Sequence, residues 1–197
     1  MNKVYAVLYP FVWIYMRLFH PWKAVGLEHV PEGAALLCGN HSTLGDPLYV
    51  VCCLGWRRQV HVMAKEEIMK WPVIGFLLKK AGIFGVKRGK ADVGALKEAM
   101  RILRGGEKLL MFPEGTRVRD GEDSEVRTGA AMFATRTGAP ILPVYIPTKK
   151  RRFRRTTVVF GEPYHPEFEG RKPTPEDYQR IADELMERIR TLKERAA

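Results

Sequence analysis

The strongest constraint on this chain is a beat of short apolar runs. Residues 34–38, 60–64, 83–86, 108–112, 141–145 and 157–160 each read as a strand. Most of these runs are continuous rather than alternating, as strands buried on both faces are. Helical segments separate them, at 47–54, 73–80, 92–104 and 128–137. In the third of these, Val93, Leu96, Met100 and Leu103 recur at helical spacing, and Gly105-Gly106 closes it. A last helix starts after Thr174, with Pro175 at its first position and Asp177 where a capping box wants an acid. Tyr178, Ile181, Leu185, Ile189 and Leu192 form its apolar stripe. Strand alternating with helix predicts an α/β fold: a mostly parallel central sheet flanked by helices. A length of 197 residues suits one such domain.

The N-terminus departs from the beat. VYAVLYPFVWIYM, residues 4–16, is thirteen uncharged residues between Lys3 and Arg17. A helix that spans a bilayer needs ~20 apolar residues, so this one is too short to cross. It lacks the small-residue cleavage site of a signal peptide, and Pro10 is expected to kink it. Tyr5, Tyr9, Phe11, Trp13 and Tyr15, then Phe19 and Trp22, are residues that favour the membrane–water boundary. We therefore expect residues 1–22 to form a membrane-associating helical segment lying on one leaflet, ahead of a domain at 23–197. The plainer alternative is a helix packed on the protein's own core.

Net charge is +11, which calls for an anionic partner: nucleic acid, an anionic membrane, a phosphorylated substrate or an acidic carrier protein. Within TKKRRFRR, residues 148–155, six of eight side chains are Lys or Arg. The run is either a solvated loop or a contact for anionic lipid. Cys38, Cys52 and Cys53 lie in apolar stretches without metal or disulfide spacing, and read as reduced core residues of a cytoplasmic protein. The histidines also lack ligand spacing, so no metal site is expected.

Two segments carry chemistry. The apolar run at 34–38 stops at CGNHSTLGDP, where Asp46 follows His41 by five residues and precedes Pro47. Asp followed by Pro reads as the cap and first residue of a helix. Five residues is the wrong spacing for one helix face. In a loop that curls back, eased by Gly45, Asp46 can instead reach a ring nitrogen of His41. A carboxylate on Nδ1–H fixes the tautomer and leaves Nε2 as a base. The plainer reading is a capping Asp beside an unrelated surface His. The second segment, MFPEGTR, again follows an apolar strand and sets Glu114, Thr116 and Arg117 around the turn of Pro113 and Gly115. Arg117 is suited to grip a phosphate in bidentate fashion.

Together NHSTLGD and FPEGTR resemble the glycerolipid acyltransferases typified by 1-acylglycerol-3-phosphate (lysophosphatidate) acyltransferase. The resemblance runs from about Val25 to Pro163, with four blocks in order: NHSTLGD, GIFGVKRG, FPEGTR and APILPVYIP. It implies His41 as catalytic base and Asp46 as its partner. It implies substrate binding by Arg88, by Glu114, Gly115, Thr116 and Arg117, and by Lys65 of MAKEEI on the acceptor phosphate. Pro143 matches a proline of the fourth block. VRTGA resembles a block with a basic residue directly before Gly, but here Thr128 separates Arg127 from Gly129.

The implied reaction moves a fatty acyl group from a thioester, acyl-coenzyme A or acyl carrier protein, to the free hydroxyl of lysophosphatidate. The product is phosphatidate, at a membrane's cytoplasmic face, with no cofactor beyond the thioester co-substrate. Another lysophospholipid or hydroxylated lipid is the alternative acceptor. Backbone N–H groups near Gly115 or at the helix start are candidate oxyanion donors. No G-x-S-x-G elbow, P-loop or dinucleotide fingerprint is present. The competing class, a basic nucleic-acid-binding protein, finds no motif, and the basic residues are spread along the chain.

Overall fold

The computed structural model describes residues 2–87, 92–117 and 126–196. In chain order the regular elements are α1 (Lys3–Phe19), β1 (Trp22–Val25), β2 (Ala35–Gly39), α2 (Asp46–Leu54), β3 (Val60–Lys65), α3 (Ile74–Lys80) and β4 (Phe84–Val86). They continue with α4 (Val93–Arg104), β5 (Lys108–Met111), α5 (Gly129–Thr137), β6 (Ile141–Tyr145), β7 (Thr156–Phe160) and α6 (Pro175–Thr191). Among the described residues the strands form one seven-stranded sheet, ordered β1-β7-β6-β2-β5-β3-β4. All neighbours are parallel except β6 and β7. The chain therefore adopts the α/β fold its periodicity predicts.

Residues of β2 show why its run is apolar throughout. Leu36 and Cys38 pack with α4, α5 and α6, through Ile102, Phe133 and Leu185 among others. Ala35 and Leu37 point the other way, into a cluster with Met16 of α1 and with Tyr49, Val50 and Cys53 of α2. Successive side chains of a strand alternate faces, so helices on both faces demand apolar residues at every position. Each fully buried Leu contributes ~1.5–3 kcal/mol, and Leu36, Leu37, Leu109, Leu110 and Leu142 are all fully buried.

The same two-sided packing makes a crevice. The chain leaves β2 through α2 on one face and leaves the adjacent β5 through α5 on the other. The loops after β2 and β5 thus part at the carboxyl ends of neighbouring strands, where open α/β sheets hold ligands.

One strand was not foreseen. β1 is four half-exposed residues, WKAV, with no alternation and no continuous apolar run to mark it. Trp22 pairs with Thr156 of β7, so the expected boundary between residues 22 and 23 falls inside this strand. α6 does carry its capping box, with Thr174 and Asp177 bonding reciprocally. The three cysteines are free and buried.

α1 runs through Pro10 without ending and is capped by Asn2, whose Oδ1 accepts from the N–H groups of Val4 and Tyr5. Tyr5, Tyr9 and Met16 are buried against the rest of the protein. The opposite side leaves Val7, Phe11, Ile14 and Leu18 exposed, Phe11 by 70%. No helix among the described residues is long and apolar enough to cross a membrane. The apolar segment WPVIGFLLKKAGIFG suits core packing first, and an acyl groove or bilayer contact as alternatives; its start is on the surface, with Trp71, Val73, Ile74 and Phe76 all exposed. α3 packs mainly on the short helical turn at Glu66–Lys70 and more lightly on α1, and neither covers those side chains.

Candidate active site

The loop after β2 is pinned before it reaches its histidine. Asn40 extends the pairing of β2 with its side chain, donating to the Ile146 carbonyl and accepting from the Ile146 N–H, both at 2.8 Å. His41 follows, 7% exposed. Its N–H donates to Glu114 Oε2 at 2.9 Å. Its ring stacks on Phe112, with centroids 4.1 Å apart and planes 20° from parallel. Backbone, ring face and ring edge are each fixed by a different partner.

The edge contact is with Asp46, whose Oδ2 lies 3.1 Å from Nδ1 of His41. Asp46 is fully buried. Its Oδ2 also accepts from the N–H groups of Ser42 and Thr43, each at 2.7 Å, and its Oδ1 accepts from Thr43 Oγ1 at 2.7 Å. The loop has curled back onto the carboxylate. Asp46 was expected to cap its helix and precede it. Instead it is the first helical residue, with Gly45 before it. Its side chain serves the loop rather than the helix.

Lys150 completes the carboxylate's shell, with Nζ 2.8 Å from Oδ1. Burial pushes the Asp46 carboxyl up, but the His41 hydrogen bond, the charge and hydrogen bond of Lys150 and the Thr43 N–H outweigh it. Asp46 is held well below the usual carboxylate range. An ionised carboxylate only accepts, so the ring must carry its proton on Nδ1, and Nε2 keeps its lone pair. Lys150 had been read only as one charge of a basic loop. Nothing in TKKRRFRR distinguishes the lysine that turns inward from the arginines that do not.

The loop after β5 meets this arrangement from the side. Glu114 is 8% exposed, and burial is the main reason its carboxyl is pushed up to about 7. The charge of Asp46 adds to that rise, against the His41 N–H and Arg190. The resemblance assigned Glu114 to substrate, and the geometry sets it on the backbone of His41. Gly115 has φ +66°, the left-handed region that glycine adopts freely, and a Cβ there would run into the Arg127 side chain. Its N–H donates to the Phe112 carbonyl at 3.0 Å, so the turn already uses the donor proposed for an oxyanion. The same holds at the helix start, where the Asp46 and Leu48 N–H groups bond to Thr43 and Gly45.

Thr116 and Arg117 are exposed beyond the turn. Lys65, at the end of β3, is also exposed and pairs with Glu67 at 3.1 Å. Arg88 lies outside the described residues. The structure thus joins His41, Asp46 and Glu114 directly, and leaves Lys65, Thr116 and Arg117 at the open side of the same sheet edge. Arg127, which the altered VRTGA spacing left open, lies against Gly115, and its N–H donates to the Pro113 carbonyl at 3.0 Å. Behind Phe112 is a cavity of about 670 Å³, lined largely by apolar side chains including Met63, Leu96, Met111, Val126, Met132 and Phe133.

Known proteins resemble this chain in sequence and fold. The Acyltransferase family model matches residues 22–147. The 1-acyl-sn-glycerol-3-phosphate acyltransferase of Bacillus subtilis is 31% identical over 140 residues, 68% of this chain and 69% of that protein. The chloroplastic 1-acyl-sn-glycerol-3-phosphate acyltransferase BAT2 of Brassica napus is 31% identical over 130 residues, 64% of this chain. The chain spans only 37% of that plant relative's length and 36% of its Arabidopsis thaliana counterpart's. The crystal structure of the 1-acyl-sn-glycerophosphate acyltransferase PlsC from Thermotoga maritima has the same fold. It matches with a TM-score of 0.72 at 23% identity, over 100% of this chain and 80% of that one. By the family match over residues 22–147 and the likeness to the Bacillus enzyme, the chain belongs to the acyltransferase family of the 1-acyl-sn-glycerol-3-phosphate acyltransferases.

Proposed function

We propose that this protein transfers a fatty acyl group from a thioester, on coenzyme A or acyl carrier protein, to the free hydroxyl of lysophosphatidate, giving phosphatidate. The observation that carries the reading is the His41–Asp46 pair, locked in one tautomer and one ring orientation in the crevice between β2 and β5. The hydroxyl oxygen attacks the thioester carbonyl while Nε2 of His41 takes its proton. The tetrahedral intermediate collapses, the C–S bond breaks and the imidazolium returns the proton to the departing sulfur. Such general-base catalysis is worth ~10²–10⁴-fold. Asp46 stabilises the imidazolium that forms between the two steps. No thiol nucleophile competes, since Cys38, Cys52 and Cys53 are buried and burial pushes their thiols up.

The exposed Arg117 and Lys65 hold the acceptor phosphate, with Thr116 beside them and Arg88 as a further cation. The cavity behind Phe112 takes the acyl chain, for which its apolar lining suits it. The exposed apolar face of α1 and the exposed residues of α3 lie on the membrane from which the acceptor comes, and Arg151, Arg152, Arg154 and Arg155 contact its anionic headgroups. The deciding experiment is acyl transfer to lysophosphatidate in detergent micelles, with each thioester, for wild type and His41→Ala. Product from wild type alone is expected, and the thioester that works names the donor. Equal turnover by the variant would remove His41 from the mechanism. No turnover with any lysolipid and either thioester would reject the activity.

A further inference from the structure

The basic run at residues 148–155 divides in the fold. Arg151, Arg152, Arg154 and Arg155 are exposed, whereas the Lys150 side chain is 7% exposed. Its ammonium lies 2.8 Å from Asp46 Oδ1, and donates to Ser42 Oγ at 2.8 Å and to the Pro147 carbonyl at 2.6 Å. An ammonium has three N–H donors, and three acceptors surround this one. Lys150 arrives from the segment that follows β6, on the side of β2 away from β5. Glu114 arrives from the β5 side. Asp46 therefore holds a histidine on one oxygen and a lysine on the other.

That placement bears on the state of the ring. Two buried carboxyl groups flank His41: Asp46 on Nδ1 and Glu114 on its N–H. A nearby carboxylate favours the imidazolium, and an imidazolium is no base. The other titratable groups facing the pair are Tyr49 of α2 and, weakly through Glu114, Arg190 of α6. Among the described residues Lys150 is the cation paired with Asp46. We propose that Lys150 is a positioning residue of acyl transfer: it fixes Asp46 and offsets its charge, so that His41 rests as the neutral base. The proposal rests on His41 being the base of the reaction argued above.

The test compares Lys150→Gln, which keeps an N–H donor for Asp46 but loses the charge, with Lys150→Arg, which keeps the charge. In Lys150→Gln the acid limb of the pH–kcat/KM profile should move up by ~1 unit, as loss of one adjacent cation implies. Below the limb turnover should fall by up to ~10-fold and return at higher pH, with both KM values unchanged. Lys150→Arg should keep the wild-type limb. The His41 ring signals, followed by NMR without substrate, should titrate at higher pH in Lys150→Gln by the same interval. This second readout does not depend on turnover, so it still decides the charge balance if the wild type transfers no acyl group. An unmoved limb and titration in Lys150→Gln would overturn the proposal. A loss that is uniform at every pH would do so too, and failure of both variants to fold would make Lys150 a purely structural residue.

Discussion

The loops after β2 and β5 begin on neighbouring strands and are built in opposite ways. Residues 40–46 are tied through their polar side chains and several backbone N–H groups: Asn40 to Ile146, His41 to Glu114 and Asp46, Ser42 and Thr43 back to Asp46. Among the described residues the β5 loop is tied through Phe112 and Glu114, which face the first loop, through the turn at Gly115, and through the Arg127 N–H on the Pro113 carbonyl. Past that turn Thr116 and Arg117 are exposed. A base must be held in one tautomer and one direction, so its loop gains from being over-determined. A group that grips a diffusing phosphate must be reached from solvent or membrane, so its loop stays open. In the proposed reaction one end of the sheet would serve both needs by assigning them to different strands.

If that division is right, breaking the first loop should damage chemistry and leave binding alone. Asp46→Asn puts an amide where Nδ1–H needs an acceptor and removes the charge that stabilises the imidazolium. Turnover should fall by ~10²–10⁴-fold, most of what a general base contributes. The KM for acceptor should change by less than about twofold, since a loss confined to the transition state leaves ground-state binding alone. A large rise in acceptor KM in steady-state assays would mean the first loop also binds substrate.

The second loop should show the inverse. Arg117→Ala removes a charge-assisted contact, worth ~1.5–3 kcal/mol, so the acceptor KM should rise roughly 10- to 100-fold. The donor KM should not follow, and a donor KM that rose more would assign Arg117 to the thioester. Lys65→Ala should raise the acceptor KM only a few-fold, because an exposed lysine already paired with Glu67 gives up ~1 kcal/mol or less. An Arg117→Ala effect no larger than that of Lys65→Ala would erase the distinction between the two cations.

How much of this was legible in sequence follows the same line. Most strands of the sheet are buried on both faces and announce themselves as continuous apolar runs, and six strands were placed from their apolar runs. β1 escaped because a half-exposed edge strand of four residues carries no such run. His41 and Asp46 were readable because loop closure over five residues is local. Asn40 and Lys150 were not, because their partners lie 106 residues and a strand's width away, at Ile146 and across β2 at Asp46 and Ser42. The surface position of Val73, Ile74 and Phe76 was hidden for a related reason: hydrophobicity gives the tendency to be covered, not what covers it.

The smallest effect on turnover should come from Glu114→Gln, and it separates bracing from binding. Gln keeps an oxygen for the His41 N–H, so a residue that only braces the backbone should leave turnover and acceptor KM within about twofold of wild type. Stability gives the sharper reading. Burial holds the Glu114 carboxyl at about 7 in the folded protein, above its unfolded range near ~4.3. Between those values the native state binds more protons than the unfolded chain, so Glu114 lowers stability as pH rises from about 4.5 to 7. The difference is of order 1–3 kcal/mol. Asp46 has the opposite sign: its lowered carboxyl contributes stability that is present above about pH 4 and lost on acidification. Thermal melts at pH 5 and pH 8 should therefore show Glu114→Gln gaining over wild type at pH 8, with little gain at pH 5. A variant that loses at pH 8 would mean that Glu114 is ionised and paired in the folded protein. In that case it belongs with Arg117 on the substrate side of the crevice.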